Sequence, residues 1–275
     1  MASTKEFKVR IKSITSIQKI TKAMKMVAAS KLRMVQKNLE AIRPHFQAVD
    51  SIMKEICASA TYNHDKRLLL IISSDRGLCG GINTNLIKLA KSMVNSSIKK
   101  DQGISLFVLG EKGKDSLQRT HGKYMQDCLS ELTKKPANFG ASSLIAESIL
   151  TLEHTTCTFV YNEFKSAINQ VPTSEDFPSV ESVALSSENV NDYEVEEDKS
   201  EVFYDFFEYF LAMKIQYCML QNATSEQGAR MNAMDSASRN ASDILDRLTL
   251  VYNKARQAAI TGELIEIISC ASAVS

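Results

Sequence analysis

Long heptad patterns of apolar side chains occupy both ends of this 275-residue chain. In the C-terminal region, alternating steps of three and four residues from Phe203 reach apolar or small side chains almost to the end. No proline follows Pro178, and Gly228 and Gly262 are the only glycines in this stretch, so nothing in the sequence ends a helix early. A helix over residues 203–271 would be roughly 100 Å long at 1.5 Å per residue. No compact domain of this size is so wide, and the sequence therefore predicts an elongated part.

A second pattern of the same period fills the first 58 residues. Its positions lie three or four residues apart, except for a longer step after Val27, and are Phe7, Ile11, Ile14, Ile17, Ile20 or Thr21, Met24, Val27, Leu32, Val35, Leu39, Ile42, Phe46, Val49, Met53 and Ile56. Pro44 is expected to kink or loosen this helix, because proline removes one backbone hydrogen bond at a cost of about 3 kcal/mol. The simplest arrangement pairs the two helices as an antiparallel coiled coil. The alternative, separate docking of each helix on a globular core, needs a larger middle segment.

The middle of the chain alternates predicted strands with predicted helices. Strands are predicted at residues 67–74, 104–109 and 155–164, and helices at about 83–95, 110–120 and 139–152. The acidic segment with Pro172 and Pro178 is expected to be a loop or an edge strand. This alternation is typical of a small, mostly parallel sheet.

The predicted fold class is therefore α/β plus coiled coil. Long N- and C-terminal helices pair as an antiparallel coiled coil, and a small, mostly parallel α/β domain is inserted between them. The predicted boundaries are 1–58 for the N-terminal helix, 59–201 for the α/β domain with its acidic loop, and 202–275 for the C-terminal helix.

The charge of the chain is strongly segregated, although its formal net charge is only +1. Residues 1–40 contain ten Lys or Arg against two Glu, and residues 174–201 contain ten Asp or Glu against one Lys. The basic helix carries a continuous apolar stripe without interleaved aromatic residues, which argues against a nucleic-acid partner. No apolar run is long enough to cross a membrane, so no direct membrane span is expected. The basic face is either solvated or directed towards an acidic partner.

Residues that would indicate catalysis or a cofactor are scattered. The six cysteines form no CxxC pair and, like the four histidines, have no metal-ligand spacing. The turn SSDRGLCGG resembles a phosphate-binding turn at a helix N-terminus but lacks the Lys-Ser/Thr pair of a P-loop. Glycines that permit a tight turn and close helix packing explain it better. Neither a catalytic site, a metal site nor a cofactor is expected.

Three segments carry a resemblance that covers nearly the whole chain. They are IKSITSIQKITKAMKMVAASKLR, SSDRGLCGGIN and SEQGARMNAMDSASRNASDILDRLTLVYNKARQAAITGELIEIISCASA. Together they closely resemble the gamma subunit of F-type ATP synthases, and SEQGARMNAMDSASRNAS is similar to the mitochondrial branch. The cysteine-bearing insertion of chloroplast gamma subunits is missing, so thiol control of that type is not expected.

The resemblance implies a central rotor shaft that couples proton-driven rotation to conformational cycling of the catalytic beta subunits. It implies as partners the alpha and beta subunits of the catalytic hexamer, the small central-stalk subunits and the membrane ring of proton-carrying subunits. The nucleotide sites would belong to other subunits, and the chain itself would be non-catalytic. Its implied location is the matrix side of the mitochondrial inner membrane, as a peripheral subunit.

The resemblance also suggests beta-subunit contacts. Family correspondence indicates Met24, Lys25, Arg76, Arg256, Gln257 and Thr261. Each could instead be a solvated residue or one that packs in the heptad seam between the two helices, and Met24 lies on the apolar stripe of that seam. Two other classes of function remain open: a coiled-coil scaffold or adaptor whose α/β head binds a partner, and an enzyme that binds a phosphorylated ligand at SSDRGLCGG. Copurification with a nucleotide-binding hexamer would distinguish the shaft from both.

Overall fold

A computed structural model of the chain describes residues 4–59, 65–131, 137–180, 183 and 198–274. Its helices are α1 (Thr4–Ile56), α2 (Ile82–Lys99), α3 (Glu111–His121), α4 (Phe139–Leu150) and α5 (Lys199–Val274). Its strands are β1 (Lys66–Ile72), β2 (Gly103–Leu109), β3 (Met125–Leu129), β4 (Thr156–Phe164) and β5 (Gln170–Pro178). Short 3-10 turns follow α1 and α3, at Cys57–Ser59 and Gly122–Tyr124.

The five strands form one mixed sheet in the order β3-β2-β1-β4-β5. The first four are mutually parallel, and β5 pairs antiparallel with β4 along its whole length. Helices α2, α3 and α4 connect the parallel strands, as such strands require. The strand order reverses between β1 and β4, which are parallel neighbours in the sheet.

Each face of the sheet is covered by a hydrophobic core. Leu69 and Ile71 of β1 pack with apolar residues of α2 and α3. Leu68 and Leu70 of the same strand face the opposite side, where the second half of α1, α4 and the first part of α5 pack. Because side chains alternate along a strand, the continuous apolar run of β1 is explained by burial on both faces.

Packing divides the chain into two compact units. One comprises the chain up to Val27 together with the chain from Met231 onward, and the other comprises Ala28–Arg230. The sequence-based boundaries 1–58, 59–201 and 202–275 describe segments along the chain and stay a prediction.

In the second unit, α1 and α5 are joined by aromatic side chains. The ring of Phe46 stacks on that of Tyr217 with 4.0 Å between centroids, and it also stacks on Phe210. Nε2 of His45 and the hydroxyl of Tyr209 lie 2.6 Å apart. The helix α1 continues through Pro44, so proline does not end the helix, and the expected kink or loosening stays a prediction.

In the first unit, Lys25 of α1 pairs with Asp235 of α5. Residue numbers of contacting pairs rise along α1 while they fall along α5, so the predicted antiparallel pairing is confirmed. The assignment of individual heptad positions on α1 was partly wrong: Ile17 and Val27 are 50% and 56% exposed, whereas Ala28 is buried. Of the two alternatives Ile20 and Thr21, Thr21 is the buried one. Small side chains let two helices approach closely. With Ala28 in place of Val27, the heptad positions Met24, Ala28 and Leu32 are each four residues apart, and the irregular step of the predicted pattern is removed.

The predicted strands and helices of the α/β domain lie within a few residues of the observed ones. Strand β3 was not predicted, and β5 is the edge strand that was one of two expectations for its segment. The acidic loop expected beyond it lies mostly outside the described residues.

Candidate functional site

The glycine-rich turn after β1 is fixed by polar contacts. Oδ1 of Asp75 accepts hydrogen bonds from the backbone N–H groups of Glu111 and Glu131, each at 3.1 Å. The carbonyl of Gly77 accepts a bond of 3.2 Å from Nη2 of Arg230 on α5. Leu78 has a positive φ of 63° and is 63% exposed. The turn therefore binds α3 through Asp75 and α5 through its backbone, and it presents Leu78 to solvent.

A buried ion pair on α5 lies beside this turn. Nη2 of Arg230 is 2.6 Å from Oε1 of Glu226, and both side chains are at least nine-tenths buried. Burial raises the pKa of Glu226, and the negative charge of Asp75 adds to that effect, although Arg230 acts in the opposite direction. Burial also raises the pKa of the Cys79 thiol, and the charge of Glu226 contributes. The thiol is therefore held in its protonated form, which is not the reactive one.

Polar side chains of α5 bond to the carboxyl end of β4. Oδ1 of Asn222 accepts a bond of 2.8 Å from Nδ2 of Asn162, and Oε1 of Gln221 accepts one of 2.8 Å from the N–H of Phe164. The hydroxyl of Ser225 donates to the carbonyl of Asn162 at 3.0 Å. We call Asn162, Phe164, Gln221, Asn222 and Ser225 the polar joint. In open α/β sheets a ligand usually binds beside the strand ends where the strand order reverses, and here three side chains of α5 bond to the end of β4.

A second polar group joins α5 to β5. Lys214, on α5, forms an ion pair with Glu175, which also accepts a hydrogen bond from the hydroxyl of Tyr161. Burial opposes ionisation of Glu175, but the charge and hydrogen bond of Lys214 hold the pKa of Glu175 below its ordinary value. Burial raises the pKa of Tyr161, with added contributions from neighbouring groups that include Glu175. Glu175 therefore stays ionised and fixes Lys214 on the sheet.

Of the predicted contact residues, Met24 and Lys25 are half-buried. Nζ of Lys25 lies 2.5 Å from Oδ1 of Asp235, and Nη2 of Arg239 lies 3.3 Å from the other oxygen of that carboxylate. The hydrogen bond from Lys25 lowers the pKa of Asp235. Part of the basic charge of α1 is thus neutralised within the coiled coil.

Arg256, Gln257 and Thr261 are exposed on α5, and the Thr261 hydroxyl donates to the Gln257 carbonyl at 2.9 Å. Twenty-one positions separate Arg256 from Asp235, the partner of Lys25, which is roughly 30 Å along a helix. The predicted contacts of this unit therefore form two groups along the coil. Arg76 is also exposed but belongs to the other unit.

The sequence analysis did not identify the polar joint or the buried Glu226–Arg230 ion pair on α5. The sequence signal for both was a set of polar residues, at 221–222, 225–226 and 230, in the middle of a helix whose flanking turns are largely apolar. Buried polar side chains need partners, so such a run indicates contact with a polar edge. Which edge it contacts could not be read from the sequence.

Neither a membrane-spanning helix nor a cluster of metal ligands is present in the part of the chain that the structure describes. None of the helices in the described ranges combines the length and apolar character needed to cross a membrane. No group of three or more potential metal ligands occurs among the residues that the structure describes.

Comparison with known proteins gives one consistent family. A family model described as ATP synthase matches residues 3–274. The mitochondrial ATP synthase subunit gamma of Ipomoea batatas is 43% identical, covering 99% of this chain and 85% of that protein. The ATP synthase gamma chain of Pelagibacter ubique is 38% identical over the full length of both.

Solved structures agree with this result. A chain from the Tetrahymena thermophila mitochondrial ATP synthase, in a structure of the central stalk and c-ring, is 29% identical with a TM-score of 0.70, covering 80% of this chain and 99% of that one. A chain from the Euglena gracilis mitochondrial ATP synthase has a TM-score of 0.79 at 19% identity, covering 98% of this chain and 94% of that one, and shows the shared fold. The chain thus belongs to the ATP synthase gamma chain family.

Proposed function

We propose that the chain is the central rotor shaft of an F-type ATP synthase and couples proton-driven rotation to conformational cycling of the catalytic beta subunits. Full-length similarity to gamma chains, together with the paired terminal helices, supports this role. Its site of action is the matrix side of the mitochondrial inner membrane, where it is a peripheral subunit.

The observation that carries the proposal is the exposed end of α5. Beyond Arg256 the described part of this helix is almost entirely exposed, including Ile260, Leu264, Ile265, Ile267 and Ile268. A protein that worked alone would leave this apolar surface in water, and large exposed apolar surfaces usually mark interaction sites. A close-fitting collar of alpha and beta subunits would cover it without a fixed ion pair that stops rotation.

The other partners follow from the α/β domain. The small central-stalk subunits and the membrane ring of proton-carrying subunits would contact this domain, which receives the driving torque. The shaft acts by making different contacts with different states of beta, and so biases a conformational equilibrium. It contributes no catalytic group, because the nucleotide sites belong to the surrounding subunits.

The internal contacts of the glycine-rich turn weigh against the enzyme alternative. Asp75 and the Gly77 carbonyl are already hydrogen-bonded within the chain, to backbone N–H groups and to Arg230. The scaffold alternative would leave the basic face of α1 and the exposed end of α5 unexplained.

Coexpression with alpha and beta subunits tests the function. We expect the chain to copurify with an alpha–beta hexamer whose ATP hydrolysis drives its rotation, and the isolated chain to turn over no ATP. A chain that never enters the hexamer, or that hydrolyses ATP alone, would contradict the proposal.

The predicted contact residues divide into roles. Arg256, Gln257 and Thr261 would act as polar catches for loops of beta. Met24 and Lys25 would contact an acidic region of beta further along the coil, and Arg76 would form an ion pair with beta. Exposed charge contacts contribute about 0 to 1 kcal/mol each, so they can form and break in each cycle.

The double substitution Arg256→Ala/Gln257→Ala tests the catches. Loss of two polar contacts of about 0.5 to 1.5 kcal/mol each would lower ATP synthesis and hydrolysis by about fivefold or more, at normal assembly yield. The matched control is Lys99→Ala/Lys100→Ala, two exposed residues of the α/β domain, which should change turnover much less. Normal turnover would remove the two residues from the mechanism, and failed assembly would make them structural.

A further inference from the structure

We infer that the polar joint fixes the rotational setting of α5 on the sheet and thereby transmits torque between the α/β domain and the shaft. This inference rests on the proposed rotor function and assigns the torque-bearing contact within it. Asn162, Gln221, Asn222 and Ser225 would be positioning residues, since they are buried within the chain.

The geometry concentrates directional bonds on one helix face. Lys214, Tyr217, Gln221 and Ser225 follow one another at steps of three or four residues along α5. They therefore lie on one side of the helix, and so do the polar joint and the Lys214–Glu175 ion pair. The four side chains of the joint are at most 3% exposed. In addition, α5 continues past Arg230 as one helix.

Apolar packing holds α5 against the sheet and opposes large rotations, because the interior is close-packed. The hydrophobic effect itself is non-directional and depends on the area removed from water, so it does not by itself select one angular setting of the helix. Hydrogen bonds differ because they weaken steeply with distance and angle.

The required precision can be estimated from helix dimensions. Side-chain atoms lie about 5 to 6 Å from the helix axis, so a rotation of about 20° moves them by roughly 2 Å. Such a movement would break all three bonds of the joint, which are 2.8 to 3.0 Å long. The joint therefore adds an angular restraint to that of the close-packed apolar contacts.

Two variants replace the directional bonds by apolar packing. Asn162→Leu/Asn222→Leu removes both partners of one bond, which leaves no buried amide unpaired and limits the loss of stability. Gln221→Met/Ser225→Ala removes the other two bonds at nearly constant volume, together with the bond of 2.7 Å that Nε2 of Gln221 donates to the Tyr217 hydroxyl. The matched control is Thr224→Val, because Thr224 is equally buried on α5 but its hydroxyl bonds within the helix, to the Leu220 carbonyl.

The experiment uses the complete ATP synthase, with a bead on the α/β domain and the hexamer arrested by a non-hydrolysable ATP analogue. We expect the variance of the bead's angular fluctuation to rise at least twofold in both joint variants and to stay unchanged in Thr224→Val. ATP hydrolysis by the complex of alpha, beta and the variant chain should stay within twofold of wild type, because that reaction uses the far end of α5. Thermal unfolding of each variant is measured in parallel.

Equal variances in the joint variants, the control and the wild type would overturn the inference. A lowered melting temperature with unchanged variance would also overturn it, because the bonds would then serve stability alone. A wild-type chain that enters no rotating complex would instead refute the proposed function, and the two failures are therefore distinguishable.

Discussion

The buried ion pair of Glu226 and Arg230 gives the sharpest test of the energetics described above. Replacing Arg230 with leucine leaves the Glu226 carboxylate buried without its counter-ion and frees the Gly77 carbonyl. Breaking a buried pair in this way costs about 3 to 5 kcal/mol. With a urea m-value of about 2 kcal/mol per molar, the unfolding midpoint should fall by about 1.5 to 2.5 M.

The pH dependence of this defect has a definite sign. Burial already raises the pKa of Glu226 in the folded protein, and loss of the guanidinium raises it further. A folded-state pKa above the unfolded one means that the folded protein retains a proton which the unfolded chain releases, so stability falls as pH rises between the two values. We therefore expect the Arg230→Leu defect to be smaller at pH 5 than at pH 7.5.

Two further variants complete the design, all followed by far-UV circular dichroism in urea. Glu226→Leu/Arg230→Leu should recover most of the loss, since apolar replacement of a whole buried pair is often neutral or stabilising. Arg239→Leu is the matched control, because Arg239 pairs with Asp235 at the same spacing but is 72% exposed, and it should change stability by less than about 1 kcal/mol. A double variant as unstable as the single one, or a defect independent of pH, would refute the reasoning.

Two other predictions concern close packing and the coiled coil. In Gly113→Ala the new Cβ would lie 2.6 Å from Oγ of Ser73, so urea unfolding should show a loss of stability of about 1 to 3 kcal/mol. Gly140→Ala is the control, because no atom lies within 4 Å of its new Cβ, and it should stabilise the protein by up to about 1 kcal/mol. Equal effects of the two substitutions on stability would refute the predicted clash at Gly113. Because Lys25 lowers the pKa of Asp235, the pair stabilises the coil at neutral pH and loses that effect as pH falls through the lowered pKa. Lys25→Met should raise the Asp235 pKa in an NMR titration, and an unchanged value would contradict the assignment.

The sequence predicted those elements whose periodicity records burial directly. A heptad pattern specifies both a helix and the face that packs, so α1 and α5 were predicted with their pairing. The alternation within β1 is masked by burial on both faces, but its length and its flanking turn identified it as a strand. Strand β3 (MQDCL) escaped prediction because it is short, polar and at the sheet edge, where one side of the strand needs no apolar partner.

Individual positions were harder to predict than elements. The heptad positions of α1 were assigned by size, which favoured Ile17 and Val27, although the close approach of two helices selects Ala28 and, of the alternatives Ile20 and Thr21, the smaller Thr21. The partner of Lys25 lies 210 residues away, and nothing in the local sequence specifies such a pair. Contacts with other subunits leave no pattern of their own, and the roles of Arg256 and Gln257 therefore depend on the family.

The two faces of α5 combine these different degrees of predictability in one helix. Leu220, Thr224 and Gln227 follow the heptad, whereas Gln221 and Ser225 lie about 100° further around the helix and bond to β4. The heptad face can be recognised from one chain alone, because any apolar partner of matching period satisfies it. The polar face is satisfied only by a particular strand end in a particular orientation, so its meaning appears only once the sheet is in place. That same dependence on orientation is what suits the polar face to hold α5 against rotation.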